Sequence, residues 1–200
     1  MKIIKRSIVC LLTLCGSISS AFAQIAAVEV DKGAQKESVE EVIIVFKMHF
    51  DIGYTDWAES ILQKYATSMM DETLRSVRET ETLPLQDQFV WTLPGWPMKY
   101  MLENTSEAYK PALDAALKKG RFKVHALPFT IETESSDLET LVRSMGFSSR
   151  INRQYGFALP RGAKLTDVPS HSWILPTLLT QAGVKILHIG CNPGSKSPDV

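Results

Sequence analysis

Two pairs of side chains in this sequence are spaced for chemistry. His49 and Asp51 stand two residues apart, just past the apolar run Val42-Ile43-Ile44-Val45-Phe46. In an extended chain, residues i and i+2 point the same way. An imidazole and a carboxylate are thus aimed at one spot beyond a strand end, and both are ordinary ligands for a divalent metal. The same two residues also suit a plainer role, with His49 a hydrogen-bonded strand-end residue and Asp51 a turn former. Gly53 lets the chain bend sharply or approach a ligand closely. The second pair, Asp167 and His171, lies in Asp167-Val168-Pro169-Ser170-His171-Ser172. Between the pairs comes an acidic loop with Glu132, Glu134 and Asp137. Its charges read as solvated loop charges or, for Asp137, a helix cap; if one belongs to a site, it contacts substrate. A bare H-x-D is short, so its meaning depends on what positions it.

The positioning elements alternate. The run over 42–48 reads as a buried strand, because its apolar character is continuous. Residues 56–78 read as one helix, with Asp56 and Glu59 spaced as a capping box and Ile61, Leu62, Tyr65, Met69, Leu74 and Val77 on one face. Residues 89–92 make a second strand, closed by a Pro94-Gly95-Trp96-Pro97 turn. A helix over 106–119 stops at Gly120. Strand 122–127, helix 138–154 with Asp137 as N-cap, strand 163–166, helix 173–182 and strand 184–189 follow. Strand–helix alternation predicts an α/β fold with parallel strands. Such a sheet puts every strand-to-helix loop on one side, and there the polar clusters gather. His125 and His188 fall inside or at strands and read as packing histidines.

Balanced charge, 22 basic against 22 acidic residues, gives no footprint for nucleic acid. Lys2, Lys5 and Arg6, the apolar 8–14 run and Ala21-Phe22-Ala23 have the layout of a signal peptide over 1–23. A leader or linker over 24–41 precedes the folded part, 42–200. Cys10 and Cys15 lack the small residues of a lipid-attachment site, so export to the periplasm or beyond, with no membrane anchor, is the expectation. Only Cys191 remains afterwards, which excludes an internal disulfide framework.

Taken in order, these motifs resemble glycoside hydrolase family 38, the α-mannosidases, in its N-terminal catalytic region. His49-Phe50-Asp51-Ile52-Gly53-Tyr54 is similar to the family's first motif. The turn from Asp167 to Ser172 resembles its nucleophile motif, with the proline one place later and serine in place of glycine. Leu127-Pro128-Phe129-Thr130 before the acidic loop stands where an intermediate motif belongs. Where the family often carries an arginine, this chain reads Gly190-Cys191. The resemblance implies an incomplete (β/α)7-type barrel and one zinc ion on His49, Asp51 and Asp167. It implies Asp167 as the nucleophile of a retaining glycosidase, and a mannose-containing glycan as substrate. Trp91, Trp96, Glu134 and His171 become candidate substrate contacts, with plain core packing the competing role for the tryptophans. A further histidine ligand and the acid/base carboxyl group would follow Val200, so this chain is expected to be a front part that is inactive alone. A metal-dependent polysaccharide deacetylase and a non-catalytic carbohydrate-binding remnant are the alternatives.

Overall fold

The structure is a computed structural model that describes residues 40–168, 170–190 and 192. The expected signal peptide, nearly all of the leader, and Cys191 lie outside the described residues. The chain divides into a leading stretch, 1–43, and a compact unit, 44–200. The compact unit holds every described element.

Strands β1 (Phe46–Lys47), β2 (Trp91–Leu93) and β3 (Phe122–Val124) form one parallel sheet in the order β1-β2-β3. Strands β4 (Gly162–Thr166) and β5 (Ile186–Gly190) form a second parallel pair, with Lys164 opposite His188 and Thr166 opposite Gly190. One backbone bond links the two ladders, Ala126 N–H donating to Gly162 O at 2.9 Å. Helices α1 (Ala58–Ala66) and α2 (Ser68–Glu79) join β1 to β2. Helices α3 (Gly95–Asn104) and α4 (Lys110–Lys118) join β2 to β3. Helices α5 (Leu138–Ser144) and α6 (Gly146–Gln154) join β3 to β4, and α7 (Leu175–Gln181) joins β4 to β5. Parallel strands need such crossovers, and the expected α/β class is what the chain forms.

Alternation along the strands sorts the side chains. Trp91, Leu93, Phe122 and Val124 turn one way and are buried with Tyr65, Met70, Met98, Met101, Leu113 and Leu117. Leu127, Leu141, Leu165, Leu175 and Leu179 make a second cluster around β4. Thr92, Lys123 and Lys164, one residue out of phase, face the opposite side.

Four expectations change. The strand over 42–48 shrinks to two residues and is exposed, Phe46 by 48 % and Ile44 by 71 %. A continuous apolar strand is buried on both faces only when neighbours flank it, and β1 pairs with β2 alone. The helix over 56–78 is two helices, broken at Thr67 (φ −126°, ψ −95°). The Thr67 hydroxyl donates back to Gln63 O at 2.6 Å, a local bond that competes with regular helix. The helix over 138–154 also breaks, at Met145, although Asp137 caps its start by accepting from Thr140 N–H at 2.7 Å. The turn at Pro94 to Pro97 is instead the first turn of α3. There Gly95 N–H and Trp96 N–H donate to Leu127 O and Pro128 O at 3.1 and 2.9 Å, so the loop after β3 caps the helix from outside. Pro97 sits in the first turn, where a missing N–H costs nothing.

Candidate functional site

The ends of β1 and β4 meet. Past β1, His49 extends its ring so that Nε2 lies 3.4 Å from Asp167 Oδ2, just past β4. The other ring nitrogen, Nδ1, is 3.3 Å from Thr166 Oγ1. Thr166 is in turn 3.4 Å from Thr130 Oγ1, in the loop after β3. Asp167 Oδ1 accepts from Asn192 Nδ2 at 2.7 Å, and Asp167 N–H donates to Gly190 O at 3.0 Å. Four loops thereby converge on one imidazole–carboxylate pair.

Asp167 has φ 69°, and among the described residues it is the only one besides glycine with positive φ. Left-handed backbone costs an L-residue roughly 1–2 kcal/mol, although aspartate bears it better than most. Strain of this kind is held in place by surrounding structure and gathers at functional sites. Here the bonds to Asn192 and Gly190 hold it.

A pocket of about 190 Å³ opens at this point, lined by His49, Phe50, Asp51, Ile52, Phe129, Thr130 and Asp167. A groove of about 380 Å³ runs beside β1 and α2, lined by Val45, Phe46, Met69 and Phe89 among others. It is larger but carries no imidazole–carboxylate pair.

The donor set suits a divalent metal in part. Two ligands each about 2.05 Å from a tetrahedral centre stand roughly 3.3–3.4 Å apart, the spacing found between His49 Nε2 and Asp167 Oδ2. Thr166 on Nδ1 is the kind of outer partner that fixes a ligating ring and leaves Nε2 to coordinate. Asp51 lines the same pocket, but its carboxylate accepts from the Thr55 hydroxyl. Among the described residues no three His, Cys, Asp or Glu side chains cluster around one ion position. The pair His49–Asp167 is in place, and Asp51 stands beside it with one carboxylate oxygen held by Thr55.

The candidate substrate contacts divide. Trp91 is corrected to a core residue: it is 3 % exposed and stacks on Tyr65 at 5.6 Å, because its position in β2 faces the helices. Trp96 stands behind the pocket wall, packed on Phe50 at 5.8 Å and Phe129 at 5.4 Å. Glu134 does not line the pocket. It accepts from Ser170 Oγ at 2.6 Å, while Thr133 Oγ1 accepts from Ser172 N–H at 2.7 Å. The acidic loop therefore tethers the turn that carries Asp167. His171 lies behind that turn with Nδ1 enclosed and unpaired. Burial lowers its pKa, against a smaller upward pull from Glu132 and Glu134.

Thr166 and Asn192 were not singled out by sequence, and Thr130 entered only as the end of the Leu127-Pro128-Phe129-Thr130 motif. Thr166 carried a signal, since it directly precedes Asp167 at a strand end. Asn192 carried none, because only the fold brings its loop to the pair.

The sequence model of the glycosyl hydrolases family 38 N-terminal domain matches residues 40–190. No curated protein matches. Among solved structures, the crystal structure of an alpha-mannosidase from Enterococcus faecalis V583 is similar at 17 % identity and a TM-score of 0.58. The likeness covers 72 % of this chain and 16 % of that one, so the chain spans about a sixth of that structure's length. At such identity the likeness concerns the fold, and it agrees with parallel strands joined by helices. With three quarters of its length matched by the family's own sequence pattern, the chain belongs to glycoside hydrolase family 38, in its N-terminal domain.

Proposed function

We propose that this chain is the front of a metal-dependent, retaining glycoside hydrolase acting on α-mannosides. One observation carries the reading: the His49 Nε2–Asp167 Oδ2 pair at 3.4 Å, set on a left-handed aspartate where two parallel strands end. In α/β folds that end is where sites are built. The five strands are taken as part of a (β/α)7-type barrel. The amino-terminal pattern supports export to the periplasm or beyond.

His49, Asp51 and Asp167 would hold the metal, with zinc the ion their chemistry and family favour. When bound, that ion supplies a Lewis acid that orients neighbouring sugar hydroxyls. The chain's own residues do the rest. Thr166 orients the His49 ring through Nδ1. Asn192 holds Asp167 Oδ1 and so leaves Oδ2 facing the pocket. In the first step a carboxylate oxygen of Asp167 bonds to the anomeric carbon as the bond to the leaving oxygen breaks. That oxygen keeps the electron pair and takes a proton from a general acid. In the second step water gives its hydroxyl to the anomeric carbon and its proton to the same group, and Asp167 departs as a carboxylate. The carboxylates lining the described pocket are Asp51 and Asp167, both assigned to the ion, so the proton must come from another group.

The test is labelling of the full protein of which this chain is the front with 2-deoxy-2-fluoro-mannosyl fluoride in the presence of zinc, read by peptide mass spectrometry, beside hydrolysis of an aryl α-mannoside. One sugar on Asp167 is expected, and none in Asp167→Asn. Aryl α-mannoside turnover without any label would contradict the nucleophile assignment. Mannose binding with neither label nor turnover would favour the carbohydrate-binding remnant.

A further inference from the structure

Beneath the His49–Asp167 pair, on the sheet face opposite the core, lies a second layer of side chains. Lys47 is two residues before His49 on β1, and Lys164 is two residues before Thr166 on β4. Since i and i+2 share a face, the contact between His49 and Thr166 places Lys47 and Lys164 together about one strand step, ~7 Å, lower. His188, opposite Lys164 in the β4–β5 ladder, completes the group, with its Nδ1 3.0 Å from Lys164 Nζ. The layer is basic.

No carboxylate answers it. Among the described residues, neither lysine forms an ion pair with an acidic side chain. Lys164 is held down to about 8 by burial first, then by Lys47 as a hydrogen-bonding neighbour and like charge. His188 is lowered by burial and then by Lys164 and Lys47. His125, at the end of β3, is lowered to about 4 by burial and by Lys164. The neighbouring charges that lower Lys164 and His188 are lysines.

We propose that Lys47, Lys164 and His188 form a binding site for a doubly charged tetrahedral oxyanion of the sulfate or hydrogen-phosphate class. Two facing ammonium groups match two negative charges, and the imidazole adds a donor when it presents N–H. Charge-assisted bonds of this kind are the strong ones. The site does not depend on the mannosidase reading. It would, however, offset positive charge directly under the position assigned to the metal.

The experiment is a sodium sulfate titration of the 200-residue chain at pH 7, with ionic strength held constant by sodium chloride. The readouts are the His188 imidazole and Lys164 side-chain resonances. Saturable shifts of both are expected. Lys164→Met and Lys47→Met should each weaken binding at least about tenfold, and Lys185→Met should leave it unchanged. Should Lys164→Met fail to fold, Lys47→Met on the exposed edge strand carries the same test. No saturable shift overturns the proposal. So does unchanged affinity in the Lys47 variant, which would put the anion elsewhere. A Lys164 ammonium already paired with a carboxylate that sulfate cannot displace overturns it as well.

Discussion

The left-handed backbone at Asp167 separates what its side chain does from what its main chain endures. Replacing it by glycine or by alanine removes the carboxylate equally, but only alanine keeps the φ penalty. Asp167→Gly should therefore be more stable than Asp167→Ala by about 1 kcal/mol, measured by urea unfolding, with both inactive. Equal stabilities would mean that the turn relaxes once Asn192 loses its partner. At this scale the sequence was informative where chemistry is carried by type and spacing. His49, Asp51 and Asp167 were legible because His-x-Asp and the aspartate turn each sit at a strand end. Asn192 was not, and Thr130 only as part of a motif, because contacts across 36 and 25 residues are set by topology, not by local pattern. For Trp91 the structure takes the core-packing role over the substrate contact, because proximity to a turn says nothing about which face of a strand a side chain takes.

Elements were legible in kind and poorly legible in their breaks. Apolar spacing located the helical regions, and Asp137 marked a real N-cap. The interruptions at Thr67 and Met145 left no mark in the periodicity, because the apolar face resumes after each. Helix α3 was hidden by Pro94 before it and by its own Gly95 and Pro97, a turn signature that is also compatible with a helix start. What makes it a helix is tertiary: the loop after β3 accepts its first N–H groups, and α6 packs against Gly95. A Cβ on Gly95 would lie 2.9 Å from Ser148 N and 3.0 Å from Phe147 Cβ, and would overlap Ser148 Oγ. Ser148 itself donates to His125 O at 2.6 Å and cannot swing aside freely. Gly95→Ala is expected to cost about 1–3 kcal/mol, despite alanine's better helix propensity. A variant as stable as the parent in urea would show that α3 and α6 have slack between them.

For the whole molecule, the sequence supported parallel α/β order but not the exposure of its outer strands. Val42 to Phe46 and Val184 to Ile189 have the composition of buried strands, yet β1 and β5 each pair on one side only. Ile186 is 69 % exposed. Global stability should carry a signature of the neutral, half-buried His125, whose Nδ1 accepts from Leu127 N–H at 3.3 Å. Its pKa is lowered from 6.5 to about 4 by burial first and by Lys164 second. The unfolded chain thus binds a proton that the folded chain refuses. Stability from this group is full above about pH 6.5 and is lost as pH falls towards 4, a change of about 3 kcal/mol. Unfolding measured across that range should show the loss, and His125→Gln should flatten it; an unchanged slope would mean His125 is protonated in place. The account stands or falls on whether the ends of β1 and β4 hold a metal. The direct measurement is zinc titration of the 200-residue chain with its stoichiometry checked by elemental analysis, beside His49→Ala and Asp167→Asn. About one ion per chain, with affinity lowered at least tenfold in each variant, is the predicted result. Zinc that binds both variants as tightly as the parent, or does not bind the parent at all, would contradict it.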